Sequence, residues 1–198
     1  MPRVPSYVYE ELKDYCSRMA RRGYVTAHGG NASIRSGDIM WITRHASSLE
    51  ELRVDDVIQV YVDKPSGFEA LASTETIVHR EVYRRTPNLA VLHAHPPYSV
   101  ALSLFLDELV PPDAEGYYVL KSVPVVSGKP GSEELAVNVS EALRRSHAVI
   151  VRNHGVFTAA KFMDVAYQYM CMVEHSAEIA YLALTLKAAG LEEKPQNL

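Results

Sequence analysis

Helices and strands alternate along this chain, and the alternation predicts an α/β fold in one domain over residues 1–198. Three observations carry the prediction. Short apolar runs recur at residues 57–62, 89–92 and 148–151, each followed by polar or turn residues, as strands require. Between them lie stretches whose apolar residues repeat at helical spacing, such as Ile77, Val78, Val82 and Tyr83. A chain of 198 residues with 47% hydrophobic composition can also bury a full core.

In chain order, Ser6 is expected to cap a helix running to about Arg22, with Val8, Leu12, Tyr15 and Met19 on one face and Gly23 as its stop. Residues 31–43 read as a hairpin turned at Ser36-Gly37-Asp38, and 57–62 as a strand ended by 63–67. A helix should begin near Thr74 and end before Pro87. A strand then leads to His93, and Pro96-Pro97 open a short helix through Leu106. Residues 117–126 are expected to be mostly extended. Gly131-Ser132 start a helix to about Arg145, and 148–151 form a strand. Residues 162–189 make one long helix with apolar or aromatic residues on nearly every side, among them Val165, Tyr169, Met172, Val173, Ile179, Leu182 and Leu186. Such a helix either crosses the core or packs against another subunit.

Composition excludes several classes. The formal charge is -4 and basic residues come singly or in pairs, as at Arg21-Arg22 and Arg84-Arg85, so no nucleic-acid surface is expected. The two cysteines, Cys16 and Cys171, both fall in predicted helices, which argues against a disulfide framework and for a reducing compartment. With no apolar signal stretch or membrane-length apolar run, the expectation is a soluble cytoplasmic protein.

The chemistry gathers at His93-Ala-His95-Pro-Pro. Alternate residues of an extended segment point the same way, so His93 and His95 can aim two imidazoles at one point. His154, in Arg152-Asn-His-Gly155, follows another apolar run. Three histidines delivered by two strand ends suit a metal site with one position open to water or substrate. His79, His147 and His175 fit ordinary structural or surface roles, whereas His28 and His45 lie in polar loops and are functional candidates. Glu75, in Ser73-Thr-Glu-Thr76 at a helix start, is the candidate proton carrier. Free helix N–H groups there would hold its pKa low unless desolvation offset them. The loops Gly29-Gly30-Asn31, 43–48 and 73–76 together suggest a phosphate pocket, though none is a Walker loop or dinucleotide fingerprint.

Assembled in order, these pieces resemble the class II aldolase family of zinc enzymes. The matching segments are Gly30-Asn31-Ala-Ser, Ile42-Thr43, Ser73-Thr74-Glu75, residues 78–85, His93-Ala-His95-Pro-Pro-Tyr98-Ser, residues 130–135 and Arg152-Asn-His-Gly155. The resemblance covers about residues 8 to 186. The resemblance implies a class II aldolase/adducin-like domain, with helices flanking a central, mostly antiparallel β-sheet. It implies a homotetramer with active sites at subunit interfaces. It also implies one zinc ion (Zn2+) per subunit on His93, His95 and His154, with other divalent metals possible. Glu75 matches the acid/base that completes the metal sphere in resting aldolases, where the epimerases carry aspartate. Asn31, Ser73 and Thr74 match phosphate-holding residues.

Three departures stand out. The second phosphate loop of the family reads Thr-Pro-Ser/Thr-Gly, and here it is Thr43-Arg44-His45-Ala46. Only the threonine is kept; Ala46 narrows the approach to backbone N–H groups, while Arg44 or His45 adds charge. Position 28 is His28 where a family aldolase has threonine. In the family a tail tyrosine enters the neighbouring site, but no tyrosine follows Tyr181 here, and Tyr117 or Tyr118 is the nearest replacement.

The implied reaction is reversible cleavage of a ketose 1-phosphate, of the L-fuculose 1-phosphate kind, to dihydroxyacetone phosphate and an aldehyde through a metal-stabilised enediolate. A pentulose-phosphate 4-epimerase and a sugar-phosphate dehydratase, such as one acting on methylthioribulose 1-phosphate, are the alternatives. A non-catalytic adducin-like module and a metal-dependent hydrolase are more remote.

Overall fold

Within the computed structural model, residues 3–192 are described, and their strands join in one eight-stranded sheet of order β3-β2-β1-β4-β8-β7-β6-β5. The strands are β1 Asn31–Ser36, β2 Ile39–Thr43, β3 Val57–Tyr61, β4 Ala90–Ala94, β5 Glu108–Leu109, β6 Val123–Val126, β7 Ala148–Val151 and β8 Gly155–Ala160. Only β6 and β7 pair in parallel; every other neighbouring pair is antiparallel. The helices are α1 Ser6–Arg21, α2 Thr76–Arg85, α3 Pro97–Leu102, α4 Ala114–Leu120, α5 Glu133–Leu143 and α6 Met163–Ala188. None is long and apolar enough to cross a membrane.

Strand alternation sorts the core into two layers. Trp41, Leu92, Ala94, Ile150 and Val156 face α1, α3, α4 and α6. Met40, Ile42, Val91, Val149, Val151 and Phe157 face α2 and α5. The α1 stripe of Val8, Leu12, Cys16 and Met19 is wholly buried on the first side, each such side chain contributing about 1.5–3 kcal/mol at full burial. The sheet is therefore covered on both faces, and β4 and β8, at its centre, are buried at every residue.

Several expectations need correction. Ser6 does not cap α1; it is the first helical residue, and Pro5 precedes it with φ -59°, its ring already holding the angle a helix start needs. Residues 117–126 are not mostly extended. Asp113 accepts the Gly116 N–H and starts α4, which ends at Lys121 with φ 59°, leaving only Val123–Val126 as strand. The aromatic and β-branched residues at 117–119 favour a strand by propensity, but the cap and docking on α6 override it. The helix opened by Pro97 stops at Leu102 rather than Leu106. β5 and the central β8 were not anticipated; β8 carries Gly, Thr and two Ala and is buried throughout, so it shows no polar alternation. Cys16 and Cys171 are free.

Of the two roles expected of α6, crossing the core is the one seen in this chain. Residues to Ala177 cross the core, whereas Tyr181, Leu182, Leu184 and Leu186 beyond it are exposed.

Candidate metal centre and its surroundings

The β4 strand ends by delivering His93 and, two residues on, His95. The hairpin turn from β7 to β8 delivers His154. Antiparallel pairing of β4 with β8 brings that turn alongside the end of β4. The ring centroids lie 4.8 Å apart for His93 and His95, 4.7 Å for His93 and His154, and 5.2 Å for His95 and His154. One ligand nitrogen from each falls within 4.8 Å of the others, a group that could hold a metal ion. Glu75 is not in that group.

Close approach depends on glycine. A Cβ on Gly155 would meet the Ala94 carbonyl at 2.3 Å, His95 at 2.7 Å and His93 at 2.9 Å. The Gly29-Gly30 turn crosses equally near, a Cβ there falling 2.9 Å from His95 Nδ1 and 2.8 Å from the His93 carbonyl. Asn153, at φ 57°, turns the chain toward His154; asparagine tolerates that conformation better than most residues.

Electrostatics keeps the trio neutral. Burial, then the neighbouring His95 and His154, hold His93 well below its ordinary pKa. Burial and His154 bring His95 down to about 4. Burial also lowers His154. Neutral imidazoles are the form that ligates metal. His93 donates its Nδ1–H to the Val156 carbonyl at 3.0 Å, leaving Nε2 as a bare lone pair turned to His95 Nε2 at 3.1 Å. His154 Nδ1 is buried and unpartnered among the described residues.

Glu75 stands at the N-cap of α2, yet its side chain makes no cap bond. Its Oε2 is the other buried, unpartnered side-chain polar atom among the described residues. Burial pushes the carboxyl pKa up, against a backbone hydrogen bond from Gly131 that lowers it. Of the two opposing influences expected on Glu75, desolvation prevails over the helix N–H groups, and the side chain makes no bond to the helix end.

Hydrogen bonding joins the three polar loops. Thr43 accepts the Ala32 N–H through its hydroxyl at 3.2 Å and the Ser73 N–H through its carbonyl at 3.2 Å. Ser73 Oγ accepts the Glu75 N–H at 3.2 Å, and Asn31 lies opposite His93 across β1 and β4. Arg44 and His45 are pinned through their backbones to Asp56 and Leu71. His45, Ala46, His28 and Thr74 are exposed. Ala46 occupies the left-handed region at φ 56°. Tyr117 and Tyr118 are not brought to the histidines within this chain. They sit exposed on α4, 41% and 69%, leaning on each other, while α4 packs on α6.

His79, expected in an ordinary structural or surface role, has a specific partner. It is fully buried and binds Asn31 Oδ1 at 2.6 Å; its position one turn into the helix that starts after Glu75 is the available signal. Glu174 of α6 was also missed. Its carboxylate accepts the N–H groups of Tyr98 and Ser99 and the Ser99 hydroxyl at 2.6–2.9 Å, fixing the segment just after His95.

A sequence model described as the Class II Aldolase and Adducin N-terminal domain matches residues 10–181. The chain belongs to that family. It is an aldolase-type enzyme, a lyase of sugar metabolism. This class II aldolase is 34% identical over 182 residues to the L-fuculose phosphate aldolase of Methanococcus maripaludis, covering 89% of this chain and 98% of the relative. It is 33% identical over 171 residues to the methylthioribulose-1-phosphate dehydratase of Methylococcus capsulatus, covering 78% and 83%. The crystal structure of L-fuculose-1-phosphate aldolase from Thermus thermophilus superposes with a TM-score of 0.90 at 35% identity, covering 96% of this chain and all of that one.

Proposed function

We propose that this class II aldolase reversibly cleaves a ketose 1-phosphate, of the L-fuculose 1-phosphate kind, into dihydroxyacetone phosphate and an aldehyde. One observation carries the reading. The two buried polar side-chain atoms left without partners among the described residues belong to Glu75 and His154. Leaving such groups unpaired costs about 1–3 kcal/mol each, which bound ligand would recover.

The donor set fits a divalent cation, zinc in our reading: three neutral imidazoles with one nitrogen each in mutual reach. His93, His95 and His154 would hold it, and it would supply the Lewis acidity that draws charge from a substrate carbonyl. Glu75 moves the proton at the carbon beside that carbonyl, its raised pKa bringing it nearer the working pH. In the resting enzyme Glu75 would also help to hold the ion. Asn31, Thr43, Ser73 and Thr74 receive the phosphate, with His28, Arg44, His45 and Ala46 at its rim. The aldehyde oxygen takes its proton from Tyr117 or Tyr118 of another subunit in a cytoplasmic homotetramer. Support for that assembly comes from exposed apolar surface at Phe105, Leu104 and the end of α6.

The test is proton NMR of dihydroxyacetone phosphate in D2O with zinc-loaded protein beside a chelator-treated control. Stereospecific, metal-dependent exchange of one C3 proton is expected; its absence, with or without added aldehydes, would overturn the aldol reading. The 33% identity to a dehydratase favours one second reading, in which methylthioribulose 1-phosphate loses water and no C–C bond breaks.

A further inference from the structure

Beneath Asn31 lies a buried polar chain with no part in the chemistry above. Tyr83 Oη lies 2.7 Å from Ser33 Oγ, Ser33 Oγ 2.7 Å from His79 Nδ1, and His79 Nε2 2.6 Å from Asn31 Oδ1. Ser33, His79 and Tyr83 are at most 1% exposed. The alternation of β1 puts Asn31 and Ser33 on the side of α2, where the His79 ring meets Phe157 edge-on at 6.0 Å.

Donor arithmetic orders this chain. An amide oxygen only accepts, so His79 must place a proton on Nε2. Burial holds the His79 pKa down to about 3, so the ring is neutral and carries that one proton. Nδ1 is therefore bare and accepts from the Ser33 hydroxyl. With Oδ1 held underneath, Asn31 keeps both Nδ2–H donors for the site. If the amide turned over, an oxygen would face an incoming anion instead.

We propose that His79 is a positioning residue that locks the Asn31 amide with its N–H groups toward an oxyanion, making phosphate recognition depend on a histidine tautomer. The inference rests on the reading of Asn31 as a phosphate ligand. It gives His79 a job beyond filling the core, since a purely apolar side chain of similar volume would leave the amide free to flip.

Two amide replacements test it. In His79→Gln the side-chain amide reaches the place of Nε2, whereas in His79→Asn it reaches only the place of Nδ1. Binding of inorganic phosphate to the zinc-loaded protein should stay within about threefold of the parent in His79→Gln and weaken about tenfold or more in His79→Asn. Zinc stoichiometry should be equal in both. In the parent, 15N spectra of labelled histidine should show His79 protonated at Nε2 and bare at Nδ1. Equal phosphate affinity in the two variants, or the opposite tautomer, would overturn the proposal. An Asn31→Ala protein that binds phosphate as the parent does would instead remove the phosphate reading of Asn31, and the proposal with it.

Discussion

His93 Nε2 and His95 Nε2 face each other at 3.1 Å, with the His93 Nδ1 proton committed to the Val156 carbonyl. That arrangement is comfortable for neutral rings and poor for charged ones. It gives the metal-free protein a definite response to acid. Between the folded His95 value of about 4 and the ordinary 6.5, the unfolded chain binds more protons than the folded one. Stability therefore rises with pH through this window and falls as acid is added. His95→Gln should flatten the slope of Tm against pH there, in metal-free protein followed by circular dichroism; an unchanged slope would count against the pairing.

Glu75 has the opposite sign. Its folded pKa lies above the ordinary carboxylate value, so the folded state holds the extra proton and stability declines as pH rises past that value. Glu75→Gln should leave zinc bound and relieve this penalty, gaining more in Tm at pH 8 than at pH 5. It should also slow proton exchange on dihydroxyacetone phosphate by about 10²-fold or more. Exchange at the parental rate would remove Glu75 from the proton path.

Glu174 is 4% exposed and satisfies three donors at the start of α3. Its truncation in Glu174→Ala strands two backbone N–H groups. The expected loss is about 2–4 kcal/mol in denaturant unfolding. Glu174→Gln keeps an acceptor oxygen and should lose less; equal losses would mean that the hydrogen bonds are not what matters.

Ala46 sits at φ 56°, a conformation costing an L-residue about 1–2 kcal/mol. Glycine gives back about 0.4–1 kcal/mol through the freer unfolded chain. Ala46→Gly should therefore be neutral to mildly stabilising, and it clears a Cβ from the phosphate rim. Thermal unfolding and phosphate titration of the variant check both halves; a drop in Tm of several degrees would refute the strain argument.

The histidine cluster was legible because each member ends an apolar run, and antiparallel pairing makes such ends neighbours. The fold was legible wherever apolar periodicity was clean, as in α1 and β7. It failed at α4, where Tyr117, Tyr118 and Val119 favour a strand but Asp113 caps a helix. It failed again at β8, whose small, wholly buried residues carry no period. Nothing local could show that Glu75 would turn from its helix end, because its environment comes from residues remote in sequence. His79 was hidden for the same reason. Its partners Ser33 and Asn31 are 46 and 48 residues away.

The short helix α3 touches both histidine turns. Its start follows His95 directly and is fastened by Glu174. Just past its end, Ser103 accepts Arg152 through its carbonyl and the Asn153 N–H through its hydroxyl, next to His154. It is a six-residue spacer with an anchor on either side. The two turns thus cannot be re-spaced one at a time. A chimera that borrows only one histidine turn from a relative would inherit a mismatched spacer, whereas exchanging residues 93–107 together with 152–155 would carry the matched set.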